Sequence, residues 1–278
     1  GGLSGYSEMN KFGHFFTPFS WFNIYWFAFI MFLFVIAVMF SVRGSEAIMK
    51  TRLKVGLLRL TKPLLTFGIF SLILFTSSGF YIYYNTNVVN EYTNSDDAKK
   101  QRADYEKALK KYEDLVQPRI VDTKLTVDIF PFERDFNAKG HYILRNKTNQ
   151  PIPEIHIQSQ PGADFTTNVK IAGKESDEKM DDYGYQIYKL DSPMQPGEEI
   201  RLDFEVIYET KGFKESGSNT NVIYNGTFFN NTYFPSIGYN NGFELSDDDD
   251  RKEYDLEPVE RMMERDDPKG LSQSLFGD

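Results

Sequence analysis

The segment Ile200-Arg-Leu-Asp-Phe-Glu-Val-Ile-Tyr208 carries an apolar side chain at every even position, with charged side chains between them as far as Val206. Successive side chains of a β-strand point to opposite faces, so this pattern predicts a strand with one face in a core and one in water. The same alternation recurs from Leu125 to Ile129, from Phe136 to Leu144 and from Ile155 to Ile157. This part of the chain is therefore predicted to be all-β.

Short turn-forming segments separate these strands. In chain order they are Asn149–Pro153, Pro161-Gly162, Ala172-Gly173, Asp181–Gly184 and Pro196-Gly197. Gly, Pro, Asn and Asp favour tight turns, and short strands joined by such turns are typical of antiparallel sheets. We predict an antiparallel sandwich or saddle over residues 119–245.

Residues 85–118, ahead of the β-domain, have the pattern of an amphipathic helix. Between Asp96 and Val116, apolar side chains recur with a period of about 3.6 residues among many Lys and Glu side chains. Ser95 is the expected N-cap, and Pro118 ends the pattern. We expect a helical spacer that lifts the β-domain off a membrane. The alternative, a coiled-coil dimer seam, needs more heptads than this segment offers.

Two apolar runs, residues 21–42 and 63–84, come first in the chain, and neither contains Asp, Glu, Lys, Arg or His. Each is longer than the roughly 20 residues that a transmembrane helix needs. Intramembrane ionisable groups usually mark ion or proton paths, so their absence from the two runs favours an anchor over a transport path. We predict a two-helix transmembrane hairpin, with the lipid bilayer as a partner.

The loop between the runs, residues 43–62, predicts the orientation of the hairpin. Six Lys and Arg stand there against the single acid Glu46, and short loops rich in Lys and Arg stay in the cytoplasm. Residues 1–20 and everything after Tyr84 are then extracytoplasmic. If the cell is bacterial, the expected location is the inner membrane, with the β-domain in the periplasm. Aromatic side chains that would lie at the same outer interface support the hairpin: Trp21, Tyr25, Trp26, Tyr81, Tyr83 and Tyr84.

Charge and composition restrict the function of the outer part. After Tyr84 there are 24 Lys and Arg against 38 Asp and Glu, a formal charge of −14, which argues against nucleic acid as a partner. The chain has no Cys and therefore no disulfide or thiolate chemistry. Residues 246–278 form an acidic tail that we expect to be partly disordered. Residues 1–20 resemble a loop between elements, and we expect the chain to be part of a longer protein.

Side chains for catalysis or metal binding are few. The three histidines, His14, His141 and His156, are too scattered for a zinc site, and we expect His141 and His156 to be exposed strand residues. The acidic run Asp247–Asp250 lacks the spacing and the glycine of a calcium loop, so we interpret it as solvated, with calcium binding as the alternative. We predict no catalytic residue, metal ligand or cofactor in this chain.

One stretch resembles a known family. Residues 225–240, which contain Phe234-Pro-Ser-Ile-Gly-Tyr239, together with Gly242–Asp247 and Arg251–Leu256, resemble the end of the N-terminal β-domain in membrane-fused members of the aminopeptidase N family of zinc metallopeptidases. In those bacterial proteins an ABC-type permease region precedes an aminopeptidase-like region. The resemblance covers Arg119 to about Leu256, and the hairpin matches by its order in the chain.

The resemblance implies a noncatalytic role for this chain, which would hold the last two transmembrane helices and the β-domain. Zinc and its ligands would lie in a downstream catalytic domain, since neither a His-Glu-x-x-His nor a Gly-x-Met-Glu-Asn motif occurs here. That catalytic domain of the same polypeptide and an ABC ATPase subunit are the expected partners. A polar residue before the Pro-containing turn shapes the substrate pocket in the family, a position that Asn225 and Thr227 occupy here. The same stretch could instead pack against the missing domain.

Aromatic crowding gives an independent indication of a partner surface. From Tyr224 to Phe243 there are seven aromatic side chains, of which Tyr233, Phe234, Tyr239 and Phe243 are assigned to an interface with the catalytic domain. Pro235 and Gly238 should set a tight turn that places Tyr233 and Tyr239. A second function remains open: a membrane-anchored accessory or adhesion module of a transporter with no link to a peptidase.

Overall fold

The computed structural model describes residues 6, 8, 11–41, 49–215, 221–224, 226–228 and 230–259. The helices of this part are α1 (Phe16–Phe40), α2 (Met49–Leu58), α3 (Lys62–Tyr83), α4 (Ser95–Leu109) and α5 (Asp248–Glu253). Its strands are β1 (Arg119–Phe130), β2 (Asp135–Arg145), β3 (Ile152–Gln158), β4 (Phe165–Ile171), β5 (Glu178–Met180), β6 (Tyr185–Met194), β7 (Glu199–Tyr208) and β8 (Ser236–Ile237).

Helices α1 and α3 pack against each other as an antiparallel pair. At one end the ring centroids of Trp21 and Tyr81 are 4.3 Å apart. Towards the other end the helices approach so closely that a Cβ on Gly68 would lie 3.3 Å from Cγ1 of Val35. Small residues at such crossings are typical of helix pairs in membranes.

The outer faces of this pair are apolar and uncovered. Large apolar side chains at 43–61% exposure include Phe27, Ile30, Leu33, Phe34, Ile69, Phe70, Leu72 and Ile73. Both helices are long and apolar enough to cross a membrane. Within the most apolar 18-residue stretch of each, only 11% and 17% of the residues are buried. A core helix of a water-soluble domain would be mostly covered by protein. These faces therefore need a cover that the described part of the chain does not supply.

The bounds of the helical region differ from those predicted. Helix α1 begins at Phe16, and α3 continues into a π-helical turn, Tyr84–Val89. The segment predicted as a basic loop contains α2, whose Gly56 packs so closely on α1 that a Cβ there would lie 3.2 Å from the Met39 carbonyl oxygen. Arg43 and Glu46 of the predicted loop lie outside the described residues.

The predicted antiparallel β-domain is present as two four-stranded sheets in the described part of the chain. One has the order β1-β2-β7-β4 and the other β5-β6-β3-β8, and neighbouring strands in both are antiparallel. Side chains from both sheets share one core that includes Leu144, Ile155, Ile157, Val169, Tyr188, Leu202, Phe204 and Val206. The even positions of β7 from Leu202 to Tyr208 are buried as their alternation predicts.

Strand β1 departs from its predicted alternation. It is an edge strand, and both Leu125 and Ile129, at 37% and 42% exposure, remain largely uncovered. Of the predicted inward set only Val127 packs against the core. An edge strand has a neighbour on one side alone, so fewer side chains reach across to cover it.

Helix α4 covers the second sheet instead of standing as a free spacer. It begins after Asn94, whose side chain accepts a hydrogen bond of 2.7 Å from the Asp97 N–H, so the cap is one residue earlier than predicted. Tyr105 and Leu109 are buried against Tyr185 and Ile187 of β6. The helix ends at Leu109, earlier than predicted, and a 3₁₀ turn follows at residues 110–112. The domain thus has three layers: sheet, sheet and helix.

A hydrogen-bonded clasp joins the end of α3 to the β-domain. The buried side chain of Asn90 donates to the carbonyl oxygens of Asn85 and Lys211, both at 2.8 Å, and lies 3.3 Å from that of Phe213. The Phe213 ring in turn contacts Tyr81 of α3, with centroids 6.0 Å apart. The loop after β7 is therefore fixed at the end of the apolar helix pair.

Candidate functional site: a groove between two sheet edges

The segment from Pro235 to Tyr239 lies at the edge of the second sheet. Ser236 and Ile237 form β8 and pair with Gln158 and Ile157 of β3. Gly238 follows with φ 83°, and its N–H donates to the carbonyl oxygen of His156 at 2.8 Å. The positive φ expected of Gly238 is confirmed, and a residue with a Cβ is strained at this φ. Ser236 and Ile237 are extended in β8, so the chain bends at Gly238 rather than making a tight turn from Pro235 to Gly238.

Gln117 continues this edge where β8 stops. Its side-chain oxygen accepts from the His156 N–H at 2.8 Å, and its side-chain nitrogen donates to the Glu154 carbonyl oxygen at 3.3 Å. One amide side chain thus takes the place of a neighbouring strand for two backbone groups of β3. This ties the segment after α4 to the sheet and fixes one wall of a groove.

The groove has a volume of about 1030 Å³ and runs between the first residues of β1 and the turn at β8. Both strands are the edges of their sheets, so the groove is bordered by strand edges on two sides. Its apolar lining includes Leu115, Val116, Ile120, Leu125, Phe234 and Ile237, and its polar lining includes Glu113, Gln117, Arg119, Asn230, Asn231 and Ser236. An extended peptide fits such a place chemically, because exposed strand edges offer backbone hydrogen bonds and the lining offers side-chain contacts.

A buried histidine lies beneath the groove. His156 is 0% exposed, so the expectation that it is an exposed strand residue is wrong. The reason is the three-layer architecture, in which α4 and the 3₁₀ turn after it cover the outer face of β3. The Tyr112 ring packs against the imidazole with centroids 4.7 Å apart.

The hydrogen bonds of His156 assign its protonation. Nε2 lies 3.1 Å from the Glu154 carboxylate, which accepts only, and Nδ1 lies 2.9 Å from the Tyr185 hydroxyl. The neutral ring therefore carries its proton on Nε2 and accepts from the Tyr185 hydroxyl at Nδ1. Burial holds the pKa of His156 below 6.5 despite the neighbouring Glu154 carboxylate. We interpret the group as structural, because no face of the ring reaches solvent. His141, in contrast, is half-exposed on the outer face of the first sheet.

The aromatic side chains assigned to an interface divide into two pairs. Tyr233 and Phe234, at 7% and 8% exposure, belong to the shared core of the sandwich. Tyr239 and Phe243 pack on α4, where both rings contact Tyr105, with centroids at 5.3 Å and 5.6 Å. All four therefore make contacts within this chain.

Of the two residues assigned to substrate binding, Asn225 lies outside the described residues. Thr227 is half-exposed in an irregular segment rather than on a strand, and it does not line the groove. Gln117, which sequence reasoning missed, comes closer to the groove than either. Its only signal in the sequence is its position before Pro118 and the first β-strand.

The acidic run is structured and binds back to α4. The Asp247 side chain caps α5 by accepting from the N–H groups of Asp249 and Asp250. Asp250 pairs with Lys99 at 2.7 Å. The next residue, Arg251, is 3% exposed and makes two parallel bonds of 2.8 Å and 2.7 Å to the carboxylate of Glu106. Asp247 and Asp249 are exposed and Asp248 and Asp250 half-exposed, so the run is in contact with solvent as interpreted, but it is ordered in α5 and held to α4 by Asp250 and Arg251. The calcium alternative is untested.

A polar layer continues from this ion pair to the turn. Lys110 lies 2.8 Å from Glu244, which also accepts from the Tyr239 hydroxyl at 2.8 Å. Burial and the Glu244 carboxylate both raise the pKa of Tyr239, and burial raises the pKa of Tyr105 to about 12. Both phenols therefore stay protonated donors. In the part of the chain that the structure describes, no group of three or more His, Asp or Glu side chains could hold a metal ion.

No family model matches this chain, and no curated protein matches it. Among solved structures it is similar to an M1 zinc metallopeptidase from Deinococcus radiodurans, with 13% identity and a TM-score of 0.27, over 34% of this chain and 21% of that one. It is also similar to a mutant of that enzyme bound to a Tyr-Ser-Ala substrate, with 12% identity and a TM-score of 0.27, over 36% of this chain and 22% of that one. A third similar structure is a two-domain M1 zinc metallopeptidase mutant bound to L-arginine. It has 14% identity and a TM-score of 0.28, over 37% of this chain and 22% of that one.

The chain thus spans about a fifth of the length of the solved structures it matches. They are zinc metallopeptidases, the class that the sequence resemblance names. Likeness at this level concerns the fold of about a third of this chain and carries nothing about its activity or substrate.

Proposed function

We propose that this chain is the membrane-anchored, noncatalytic β-domain of a zinc aminopeptidase-like protein fused to an ABC-type permease. In this proposal the hairpin anchors the domain in a bacterial inner membrane and the β-domain lies in the periplasm. The groove between β1 and β8 positions an extended peptide for a catalytic domain that lies downstream in the same polypeptide. Zinc belongs to that downstream domain.

The observation that carries the positioning role is the groove itself. Its two walls are strand edges, and one wall is fixed by Gly238 and by the double hydrogen bond of Gln117 to β3. An extended peptide that adds to a strand edge gains backbone hydrogen bonds without a need for a particular sequence. Such binding suits a peptidase that must accept many chains.

The anchoring role rests on the uncovered apolar faces of α1 and α3 and on the clasp at Asn90. A domain tethered only by a flexible linker would sample many orientations. The clasp instead gives the β-domain one orientation relative to the helix pair, which a positioning domain requires.

The test uses two exposed threonines of β1 in the full-length protein. Thr123 lines the groove and Thr126 does not. We expect Thr123→Trp to raise the KM for zinc-dependent cleavage of peptides without changing kcat for a single aminoacyl anilide. Thr126→Trp, the matched control, should change neither.

Equal kinetics for the two variants would contradict a groove that binds peptide. Absence of any aminopeptidase activity in the full-length, zinc-loaded protein would favour the other candidate, an accessory or adhesion module of a transporter.

A further inference from the structure

The turn between β1 and β2 carries large apolar side chains that nothing in the described part of the chain covers. Phe132 is 82% exposed and Phe130 is 43% exposed. Tyr224, at 54% exposure, stacks on Phe132 with ring centroids 6.3 Å apart and an interplanar angle of 13°. A cluster of exposed aromatic side chains marks an interaction surface. We call these three residues the aromatic tip.

Hydrogen bonds fix the aromatic tip to the loop that follows β7. Arg134, in the same turn, donates to the Gly212 carbonyl oxygen at 3.2 Å. The Thr210 hydroxyl donates to the Glu133 carbonyl oxygen at 2.9 Å, and the Thr210 N–H donates to the Asp135 carboxylate at 2.7 Å. The turn therefore cannot move far from residues 210–212.

That loop is the one held at the end of the apolar helix pair. Asn90 binds the carbonyl oxygens on both sides of Gly212, and the Phe213 ring contacts Tyr81. Tyr81 stacks against Trp21 at the outer end of α1. Trp and Tyr side chains at the ends of apolar helices lie at the headgroup level of a bilayer. The aromatic tip is thus fixed beside the level where lipid headgroups meet the helices.

We propose that the aromatic tip inserts into the headgroup region of the same membrane that holds the helix pair, and that it is a third point of membrane contact. This proposal rests on the anchoring role proposed above. The Tyr224 ring with its hydroxyl suits this interface, and Phe130 and Phe132 supply the apolar area that segments lying in the headgroup region bury.

The charges near the aromatic tip indicate which force binds it. Glu133 adjoins Arg134, Lys211 lies 3.6 Å from Glu209, and Lys214 pairs with Asp164. With Asp135 included, four acids stand against three bases around the tip, and the outer part of the chain is acidic as a whole. Attraction to anionic lipid is therefore not the driving force, and the contact should be equally strong on zwitterionic lipid.

The test attaches an environment-sensitive fluorophore to single cysteines, in a chain that has none of its own. The positions are Phe132→Cys at the tip, Ile120→Cys at the far end of β1, and Ile30→Cys on the uncovered face of α1. The protein is reconstituted in phosphatidylcholine nanodiscs, with and without phosphatidylglycerol. Nitroxide-labelled lipid then quenches fluorophores that touch the bilayer, and aqueous iodide quenches those in water.

We expect nitroxide lipid to quench the fluorophore at positions 30 and 132 but not at 120, with the same loss of emission at 132 in both lipid compositions. Quenching at 30 but not at 132 would overturn the tip proposal and leave the anchor intact. Quenching at none of the positions would remove the anchor as well. Protection of position 132 from both quenchers would show that a protein partner covers the tip, which also overturns the proposal.

Discussion

Breaking the buried ion pair between Glu106 and Arg251 should detach the last helix and destabilise the whole β-domain. The two side chains are 5% and 3% exposed and lie 145 residues apart in sequence. The change to test is Glu106→Gln, which keeps the size of the side chain but leaves the Arg251 guanidinium without its charged partner.

The magnitude follows from the surroundings of Arg251. Removing one partner of a buried ion pair costs about 3–5 kcal/mol, because the other charge is left uncompensated. Arg251 keeps the Leu245 carbonyl oxygen at 2.7 Å and the Glu244 carboxylate at 3.8 Å. These partners offset part of the loss, so we expect the lower end, about 3 kcal/mol. Arg251→Met should cost a similar amount, because it leaves the buried Glu106 with only the more distant Lys110, at 3.8 Å, as a cationic partner.

The double variant Glu106→Leu with Arg251→Met separates charge from packing. Replacing both charges with apolar side chains removes the uncompensated ion, so the double variant should be more stable than either single variant. The matched control is the partly exposed pair of Lys99 and Asp250, which joins the same two helices. Lys99→Met should change the free energy of unfolding far less, since solvent screens an exposed pair.

The assay is urea unfolding of the detergent-solubilised chain, followed by near-ultraviolet circular dichroism of its 17 tyrosines. A loss below about 1 kcal/mol in both single variants, or strict additivity in the double variant, would refute the reasoning. The acidic segment would then be the loosely held tail that its composition indicates.

Two further predictions concern the wall of the groove. Gly238→Val should destabilise the domain by more than about 1 kcal/mol, because φ is 83° at this residue. The control, Asp249→Ala at an exposed position, should change the free energy of unfolding by no more than about 0.5 kcal/mol. Equal urea midpoints for the two variants would contradict this prediction. Burial lowers the pKa of His156 in the folded protein below the 6.5 of the unfolded chain. Between the folded and the unfolded pKa, the unfolded state therefore binds more protons than the folded state. The free energy of unfolding should fall as pH drops below about 6.5, by up to about 1.4 kcal/mol per pH unit. The His156→Gln variant should lack this part of the pH dependence. Identical pH profiles of the urea midpoint for the variant and the unmodified protein would contradict the prediction.

The parts of the fold that local patterns determine were predictable. Alternation along β2 and β7 predicted which faces are buried, and the glycine at 238 predicted a positive φ, because each pattern reports on neighbouring residues. The burial of His156 was not predictable in this way. One face of β3 is polar, with Glu154, His156 and Gln158, but Tyr105 of α4 and Tyr112 of the following turn cover His156 and Gln158 on that face.

Long-range pairs were the main source of error. Arg251 stands beside four acidic residues, and that local environment indicates a solvated segment. Its partner Glu106 lies on a helix that composition alone presents as a spacer. Gln117 likewise binds β3 across 39 residues. None of these pairs leaves a periodic signal, so the candidate site was found only at Gly238 and not at Gln117, which fixes the same wall of the groove.

The most direct test of the central claim is the topology of the chain in its native membrane. Thr51 is exposed on α2, and the Asp191 side chain is 81% exposed on the β-domain, so each accepts a single cysteine without loss of a buried contact. Gly56, which packs on Met39, is a poorer probe position. With a membrane-impermeant maleimide applied to the outer face of spheroplasts, we predict that Asp191→Cys is labelled and that Thr51→Cys is labelled only after lysis. Labelling of Thr51→Cys in intact spheroplasts, or protection of Asp191→Cys, would contradict a membrane-anchored β-domain on the outer side.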